Sequence, residues 1–192
     1  MTPDSPDSLS VARRLALLFV AAALVAGTAD AYARPHDDGA PAGSSYRIAA
    51  MPTLQGQVLA AINDLRQTNG LSELRLNPAL SVAALGHSQS MAQHGFFSHS
   101  GFDGVPFWSR IKPRYRPVPG SFWSVGENLL WASPRVSAEQ AIQMWLGSAP
   151  HRKNLLGPAW REVGLGAVHA LGAPGVYGGL DVTILTADFG VR

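Results

Sequence analysis

Residues 145–166 read W-L-G-S-A-P-H-R-K-N-L-L-G-P-A-W-R-E-V-G-L-G. The glycine and the proline that follow Trp145 predict the end of an amphipathic helix. His151 then lies in the first turn of a further helical segment, and the closing V-G-L-G is typical of the entry into a strand. We expect this stretch to form one cleft together with two residues from earlier in the chain, His99 and Glu127.

The first 33 residues have the pattern of a secretory signal peptide. Arg13 and Arg14 precede the apolar run 15–27, and A-x-A cleavage sites follow within 29–33. The run is shorter than the roughly 20 apolar residues that span a bilayer, so no permanent membrane span is expected after cleavage. The sequence therefore predicts a secreted or periplasmic protein and leaves the general secretory and twin-arginine routes both open.

Composition places one domain after this leader. Residues 34–52 mix Pro, Gly, Ser and charged residues without periodicity, which predicts a flexible linker. Residues 53–192 have the usual length of a single domain with one core. The chain has no cysteine, so packing alone must hold the domain together, and its net charge of +2 is too small to indicate nucleic-acid binding.

Helical signals dominate the first half of the domain. Thr53 and Gly70 are predicted to bound an amphipathic helix. An Asn-Pro pair at 77–78 is a strong start for a second helix, which we expect to end near Gly95. His87 lies on the apolar face of that helix, where a hydrogen-bonded core histidine is the favoured interpretation over a metal ligand.

Strand signals dominate the second half. Residues 125–131 alternate, which places Glu127 on a face of large apolar groups, and such a carboxylate has either a partner or a raised pKa. Residues 137–140 form an S-x-x-Q capping box ahead of a third helix. The runs 162–170 and 176–189 flank a turn, L-G-A-P-G at 171–175, and predict an antiparallel hairpin. Together these patterns predict an α+β domain with helices covering the sheet.

The segment between the second helix and the first long strand is basic. Arg110, Lys112, Arg114 and Arg116 alternate through proline-rich sequence. Two interpretations are open, a solvated loop or a strip that contacts anionic envelope polymer or lipid head groups. The sequence has no phosphate-binding glycine loop and no aromatic spacing typical of nucleic-acid binding, so no nucleic-acid partner is expected.

Ordered motifs along residues 53–192 resemble one family. They are N-D-L-R at 63–66, F-S-H-S at 97–100, G-E-N-L at 126–129, W-L-G-S-A-P-H-R-K-N-L-L at 145–156, V-G-L-G at 163–166 and T-A-D-F-G at 186–190. The chain resembles the CAP superfamily of cysteine-rich secretory, antigen-5 and pathogenesis-related class 1 proteins, in its short, cysteine-free bacterial branch (the SCP-like domain).

That resemblance implies a three-layer α-β-α sandwich with a central antiparallel sheet flanked by helices. It also implies a cleft built from two histidines and two glutamates. His99, Glu127 and His151 match three members of this tetrad, whereas Ser148 stands where the second glutamate is expected. The departure weakens any mechanism that needs both carboxylates.

Three roles remain open for the cleft. In the first, it belongs to a binding or interaction module whose partner is a lipid or other small apolar ligand, a protein or an envelope polymer. Phe102, Phe107, Trp108 and Trp123 are the candidates for lining an apolar groove. In the second, Glu127, His99 and His151 brace the fold as a satisfied polar network without doing chemistry.

The third role is a metal-dependent hydrolase acting on an envelope or extracellular substrate. His99 and His151 are the candidate zinc ligands and Glu127 the candidate catalytic residue. No H-E-x-x-H motif is present to supply two ligands and a base on one helix. A serine nucleophile at 98, 100 or 148 is disfavoured, because no G-x-S-x-G motif occurs.

Overall fold

A computed structural model describes residues 47–192, which lie within one compact unit. The predicted signal peptide and residues 34–46 of the predicted linker lie outside the described residues. The elements in chain order are β1 (Arg47–Ala50), α1 (Pro52–Thr68), β2 (Arg75–Leu76), α2 (Pro78–His94), α3 (Phe107–Ile111), β3 (Ser124–Ala132), α4 (Ala138–Leu146), α5 (Ala149–Leu155), β4 (Glu162–Ala173), a 3₁₀ turn (Gly175–Tyr177) and β5 (Leu180–Val191).

The sheet confirms the predicted α+β class. Its order is β1-β4-β5-β3, each neighbour antiparallel to the next, and the short β2 adds a parallel pairing at one end of β4. The predicted hairpin is β4 and β5, the two longest strands. In the register of β3 and β5, Glu127 lies directly opposite Asp188.

Helices cover both faces of this sheet. Alternate β4 residues such as Val163 and Leu165 pack with α1, α4 and α5 in one core cluster. The other face carries α2 and α3, with clusters around Met91 and Ile111. Successive residues of a strand point to opposite faces, so the β4–β5 hairpin contributes side chains to the core on each face of the sheet. The predicted three-layer arrangement is confirmed.

Local signals position the helices as the sequence predicts. The Asn77 side chain accepts hydrogen bonds from the backbone N–H groups of Ala79 and Leu80 at 2.9 and 3.2 Å. Gly95 closes α2 in the left-handed conformation, at φ 66°. The Ser137 capping box is present at the start of α4, with both reciprocal hydrogen bonds formed.

Arg66 connects α1 to the helix that carries His151. It is fully buried, and its Nη1 donates to the carbonyls of Leu155 and Gly157 at 2.9 and 3.0 Å. Its Nε donates to the Ser72 carbonyl at 2.8 Å. The cation therefore satisfies carbonyls at the C-terminal end of α5, where the last carbonyls of a helix have no partner within the helix.

Several elements and boundaries differ from the sequence prediction. Residues 47–50 form β1 inside the range predicted as linker, because they pair with β4. The first helix begins at Pro52, with no side-chain cap from Thr53. The short helix α3 lies in a segment predicted as a loop. The last strand begins at Leu180 and not at residue 176, because Gly178 and Gly179 take positive φ directly before it.

Candidate functional site

Glu127 lies at the centre of the predicted cleft. It is near the middle of β3, and its side chain is 1% exposed. One carboxylate oxygen, Oε1, is 2.7 Å from His99 Nδ1. The other, Oε2, accepts a hydrogen bond from Nη2 of Arg110. The sequence predicts a partner or a raised pKa for this carboxylate, and the structure provides two partners, His99 and Arg110.

Arg110 is a site residue that sequence analysis placed elsewhere. Its spacing with Lys112, Arg114 and Arg116 predicts a place in the basic strip, yet its side chain is only 19% exposed and is directed to Glu127. The strip was interpreted from alternation, whereas residues 107–111 are helical. Ile111 and Tyr115 are buried beside it and hold α3 against α2, which brings the guanidinium to the carboxylate.

Asp188 is a second carboxyl group in this site. It is fully buried on β5, and neither of its oxygens accepts a hydrogen bond from any described residue. Arg110 Nη2 lies 4.0 Å from Asp188 Oδ1. Burial, and then the neighbouring charge of Glu127, raise the pKa of Asp188 well above its ordinary value. The available signal was an acid within the apolar strand sequence T-A-D-F-G.

The second predicted histidine comes from α5. The ring centroids of His151 and His99 are 6.5 Å apart, and the rings are inclined by 59°. His151 is half-buried, and its pKa is lowered by burial and then by the proximity of His99. The structure thus brings together His99, Glu127 and His151, as the sequence predicts.

Two asparagines fix α5 to the edge of β3. Asn128 Nδ2 donates to the His151 carbonyl at 3.0 Å. Asn154 Nδ2 donates to the Glu127 carbonyl at 3.1 Å and to Asn128 Oδ1 at 2.9 Å. These bonds satisfy backbone groups on the outer side of an edge strand and set the position of His151 relative to Glu127.

The remaining polar candidates have structural partners. His87 is buried, with Nε2 2.8 Å from the Ser98 carbonyl, which confirms the hydrogen-bonded core histidine. The Ser98 hydroxyl accepts from the Ser100 N–H at 3.1 Å. Ser148 is the N-cap residue of α5, without a side-chain cap bond. Within residues 47–192, none of the hydroxyls of Ser98, Ser100 and Ser148 is hydrogen-bonded to an imidazole.

The cleft offers fewer free donor atoms than a zinc ion requires. His99 and His151 offer one ring nitrogen each, while both oxygens of Glu127 are already bonded. Catalytic zinc sites use three protein ligands and structural sites use four. Among the described residues, no group of three or more His, Asp or Glu side chains is arranged to hold a metal ion. The residues present therefore do not complete a zinc site.

The four aromatic candidates divide into two pairs. Phe102 and Trp108 are 64% and 46% exposed. Phe107 and Trp123 are half-buried against the cluster formed by α2 and α3. Only the first pair is available on the surface for an apolar ligand.

An α+β sandwich in which a buried glutamate is bonded to one cleft histidine, with a second histidine beside the first, defines a class of cleft-bearing domain. The family model described as "CAP: Cysteine-rich secretory protein family" matches residues 59–177 of this chain. The chain belongs to this family.

Curated relatives come from Bacillus subtilis (strain 168). The chain is 31% identical over 115 residues to the uncharacterized protein YkwD, and 31% identical over 114 residues to the uncharacterized membrane protein YlbC. Each alignment covers 59% of this chain, but only 42% and 31% of those two proteins.

Solved structures share the fold. An extracellular protein containing an SCP domain from Bacillus anthracis matches with a TM-score of 0.57 and 24% identity, over 73% of this chain and 41% of that one. An outer surface protein from Borrelia burgdorferi matches with a TM-score of 0.55 and 20% identity, over 70% and 90% of the two chains. In the part of our chain that the structure describes, every helix is too short or too polar to cross a membrane.

Proposed function

We propose that this chain is an exported binding module whose cleft, between His99 and His151, recognises a ligand without catalysing its conversion. The observation that carries the proposal is the engagement of both Glu127 oxygens, by His99 and by Arg110. A ligand would contact the two imidazoles, while the carboxylate holds the ring of His99 in place.

The burial of the cleft residues supports this division of roles. The His99 side chain is 53% exposed, whereas that of Glu127 is 1% exposed. A general base must come within hydrogen-bond reach of the proton that it removes, and Glu127 is screened from that position by its own partners. His99 Nδ1 faces the carboxylate at 2.7 Å, so the other ring nitrogen, Nε2, is the one left for a ligand.

Export is part of the proposal and rests on the predicted signal peptide. The names of two structural relatives, an extracellular protein and an outer surface protein, support the same location. The partner classes that we propose are a lipid or other small apolar ligand, a protein or an envelope polymer.

Zinc enters this proposal as a weak ligand. His99 and His151 would supply two nitrogen ligands, and Glu127 would orient the first of them through Nδ1. A metal-dependent hydrolase needs at least one more protein ligand and a free base. The geometry therefore favours binding over hydrolysis.

Calorimetry and an ester assay on the same variants test this proposal. Zinc chloride is titrated into the wild type, the His99→Ala/His151→Ala variant and a control that loses two other histidines, His94→Ala/His169→Ala. We expect weak one-to-one binding that only the first variant loses. Hydrolysis of p-nitrophenyl acetate that Glu127→Gln abolishes while the protein stays folded would overturn the proposal.

A cysteine label provides the test with a ligand other than zinc. The chain has no cysteine, so Ser148→Cys places one fluorophore at the start of α5, three positions before His151, and Met144→Cys places one on the exposed side of α4. Lipid and polymer fractions of the bacterial envelope are then titrated. We expect a signal from the label at 148 that the loss of both cleft histidines removes, and no signal from the label at 144.

A further inference from the structure

The segment between α2 and β3 presents an unusual surface. Among the described residues, twelve large hydrophobic side chains are exposed, and six of them lie in residues 97–122. All four exposed phenylalanine and tryptophan side chains are in this segment. Exposed apolar groups scattered singly are ordinary, but their concentration in one segment marks a contact surface.

Two adjoining grooves show that aromatic and basic groups share this surface. One groove, of about 490 Å³, is lined by Trp108, Lys112 and Arg116. The other, of about 500 Å³, is lined by Phe102 and Arg114 together with Asp103 and Arg110. Both grooves include Ser109 and Pro113, so they are contiguous. We call Phe102, Trp108, Lys112, Arg114 and Arg116 the aromatic–basic face.

The charge of this face is unbalanced. Residues 97–122 contain four Lys or Arg and a single acid, Asp103. Arg110 is paired with Glu127, which leaves Lys112, Arg114 and Arg116 exposed. Within residues 47–192, none of these three cations forms an ion pair with an acid. A partner that covers the face must therefore bring negative charge.

The face is held rigidly from below. Arg110 is bonded to Glu127, and Ile111 and Tyr115 are fully buried. The Tyr115 hydroxyl donates to Glu162 at 2.6 Å, and Trp123 Nε1 donates to the Tyr115 carbonyl at 2.9 Å. Since these core contacts fix the helix that carries Trp108, the exposure of Trp108 is a property of the folded domain.

We propose that the aromatic–basic face docks this protein on the surface of an anionic lipid membrane. Indole and phenyl rings favour the boundary between head groups and acyl chains. Lys and Arg beside them contact anionic head groups, while their aliphatic stems lie along the apolar surface. A soluble polyanion would match the cations alone and would leave the exposed aromatics unused.

Membrane docking by the aromatic–basic face is a separate property from ligand binding in the cleft, and either can be disproved without the other. The face uses none of the cleft histidines. The His99→Ala/His151→Ala variant should therefore bind membranes as the wild type does. A membrane result in either direction leaves the zinc and ester tests of the cleft unaffected.

Vesicle sedimentation tests the docking surface on the full chain, with every variant in the same background. The vesicles contain phosphatidylglycerol and phosphatidylcholine in equal parts, or phosphatidylcholine alone. We expect binding to the anionic vesicles that added salt weakens. Lys112→Gln/Arg116→Gln should reduce the partition coefficient about 25-fold, since each cation near an anionic surface contributes roughly fivefold. Arg135→Gln/Lys153→Gln removes the same charge from exposed positions elsewhere and should bind as the wild type does.

A second pair of variants separates lipid from other polyanions. Trp108→Ser should weaken vesicle binding about tenfold, whereas Met144→Ser, at a side chain of matching exposure (47% against 46%), should not. Three results would overturn the proposal: no preference for anionic vesicles, equal losses in the face variants and their controls, or stronger binding to soluble polyphosphate that is insensitive to Trp108→Ser. The last result would assign the face to an anionic polymer.

Discussion

At the scale of single residues, two acids in one site have opposite surroundings. Glu127 is compensated by a guanidinium and an imidazole. Asp188 is paired with Glu127 on the neighbouring strand β5. It is fully buried and accepts no hydrogen bond from the described residues. Its ionisation would place a second negative charge beside Glu127 without water to screen it, so the neutral form is favoured.

This burial makes a prediction about stability and pH. The pKa of Asp188 is raised in the folded state, so the folded protein binds more protons than the unfolded chain above the ordinary aspartate pKa. Its contribution to the free energy of unfolding is therefore fully present below that value. It is lost as the pH rises toward the folded pKa, by at most about 1.4 kcal/mol per pH unit.

Asn at position 188 cannot ionise, so the stability of Asp188→Asn should not fall with pH in this way. The free energy of unfolding of the variant minus that of the wild type should therefore increase from pH 4 to pH 8. Urea unfolding at several pH values measures it. Asp64→Asn, at an exposed position on α1, is the control and should follow the wild type. Parallel pH profiles for Asp188→Asn and the wild type would contradict the assignment.

The site was predictable where each residue had its own signal. The resemblance to the family predicts His99, Glu127 and His151, and the apolar face of residues 125–131 independently marks Glu127. Arg110 could not be assigned, because an arginine among other basic residues in proline-rich sequence is most often solvated. Its role depends on an acid seventeen positions away in the chain, and only the fold brings the two together.

At the scale of elements, the packing of α2 on the sheet depends on glycine. A Cβ at Gly164 or Gly166 of β4 would overlap the backbone of α2, at Leu80 and Ser81 or at Ala84 and Leu85. The V-G-L-G motif therefore lets the helix lie closer to the strand than any side chain would permit.

Gly166→Ala should therefore lower the free energy of unfolding by at least about 2 kcal/mol, because backbone atoms must move apart to admit the methyl group. Gly86→Ala is the matched control on α2, where an added Cβ meets nothing within 4 Å. That variant should gain about 0.5–1 kcal/mol from the better helix propensity of alanine. Chemical denaturation compares them, and equal effects would contradict the close-packing argument.

Elements with local start signals were predictable, and elements that depend on a partner were not. The Asn77–Pro78 cap and the Ser137–Gln140 box identified α2 and α4 in advance. Strand β1 is only four residues long and mostly exposed, so it has neither alternation nor length to identify it. It exists through its pairing with residues 168–171 of β4, which are more than a hundred positions further along the chain.

At the scale of the whole molecule, the start of the folded domain follows from that pairing. The sequence predicts a domain from Thr53, whereas the sheet begins at Arg47. Ile48 packs against the cluster around Met91, and the Met51 N–H donates to the Ala167 carbonyl at 2.9 Å. Pro52, at the first turn of α1, would also be lost from a domain that begins at Thr53.

Two truncated chains test this boundary, one beginning at Arg47 and one at Thr53. We expect the shorter chain to be less stable by about 2 kcal/mol or more, from the exposure of the apolar surface under Ile48 and the loss of edge pairing. Ile48→Ser in the longer chain should reproduce part of the loss, whereas Ala49→Ser, at an exposed position of the same strand, should not. Equal unfolding free energies for the two chains would mean that β1 adds nothing to the fold, and the domain would then begin at Thr53.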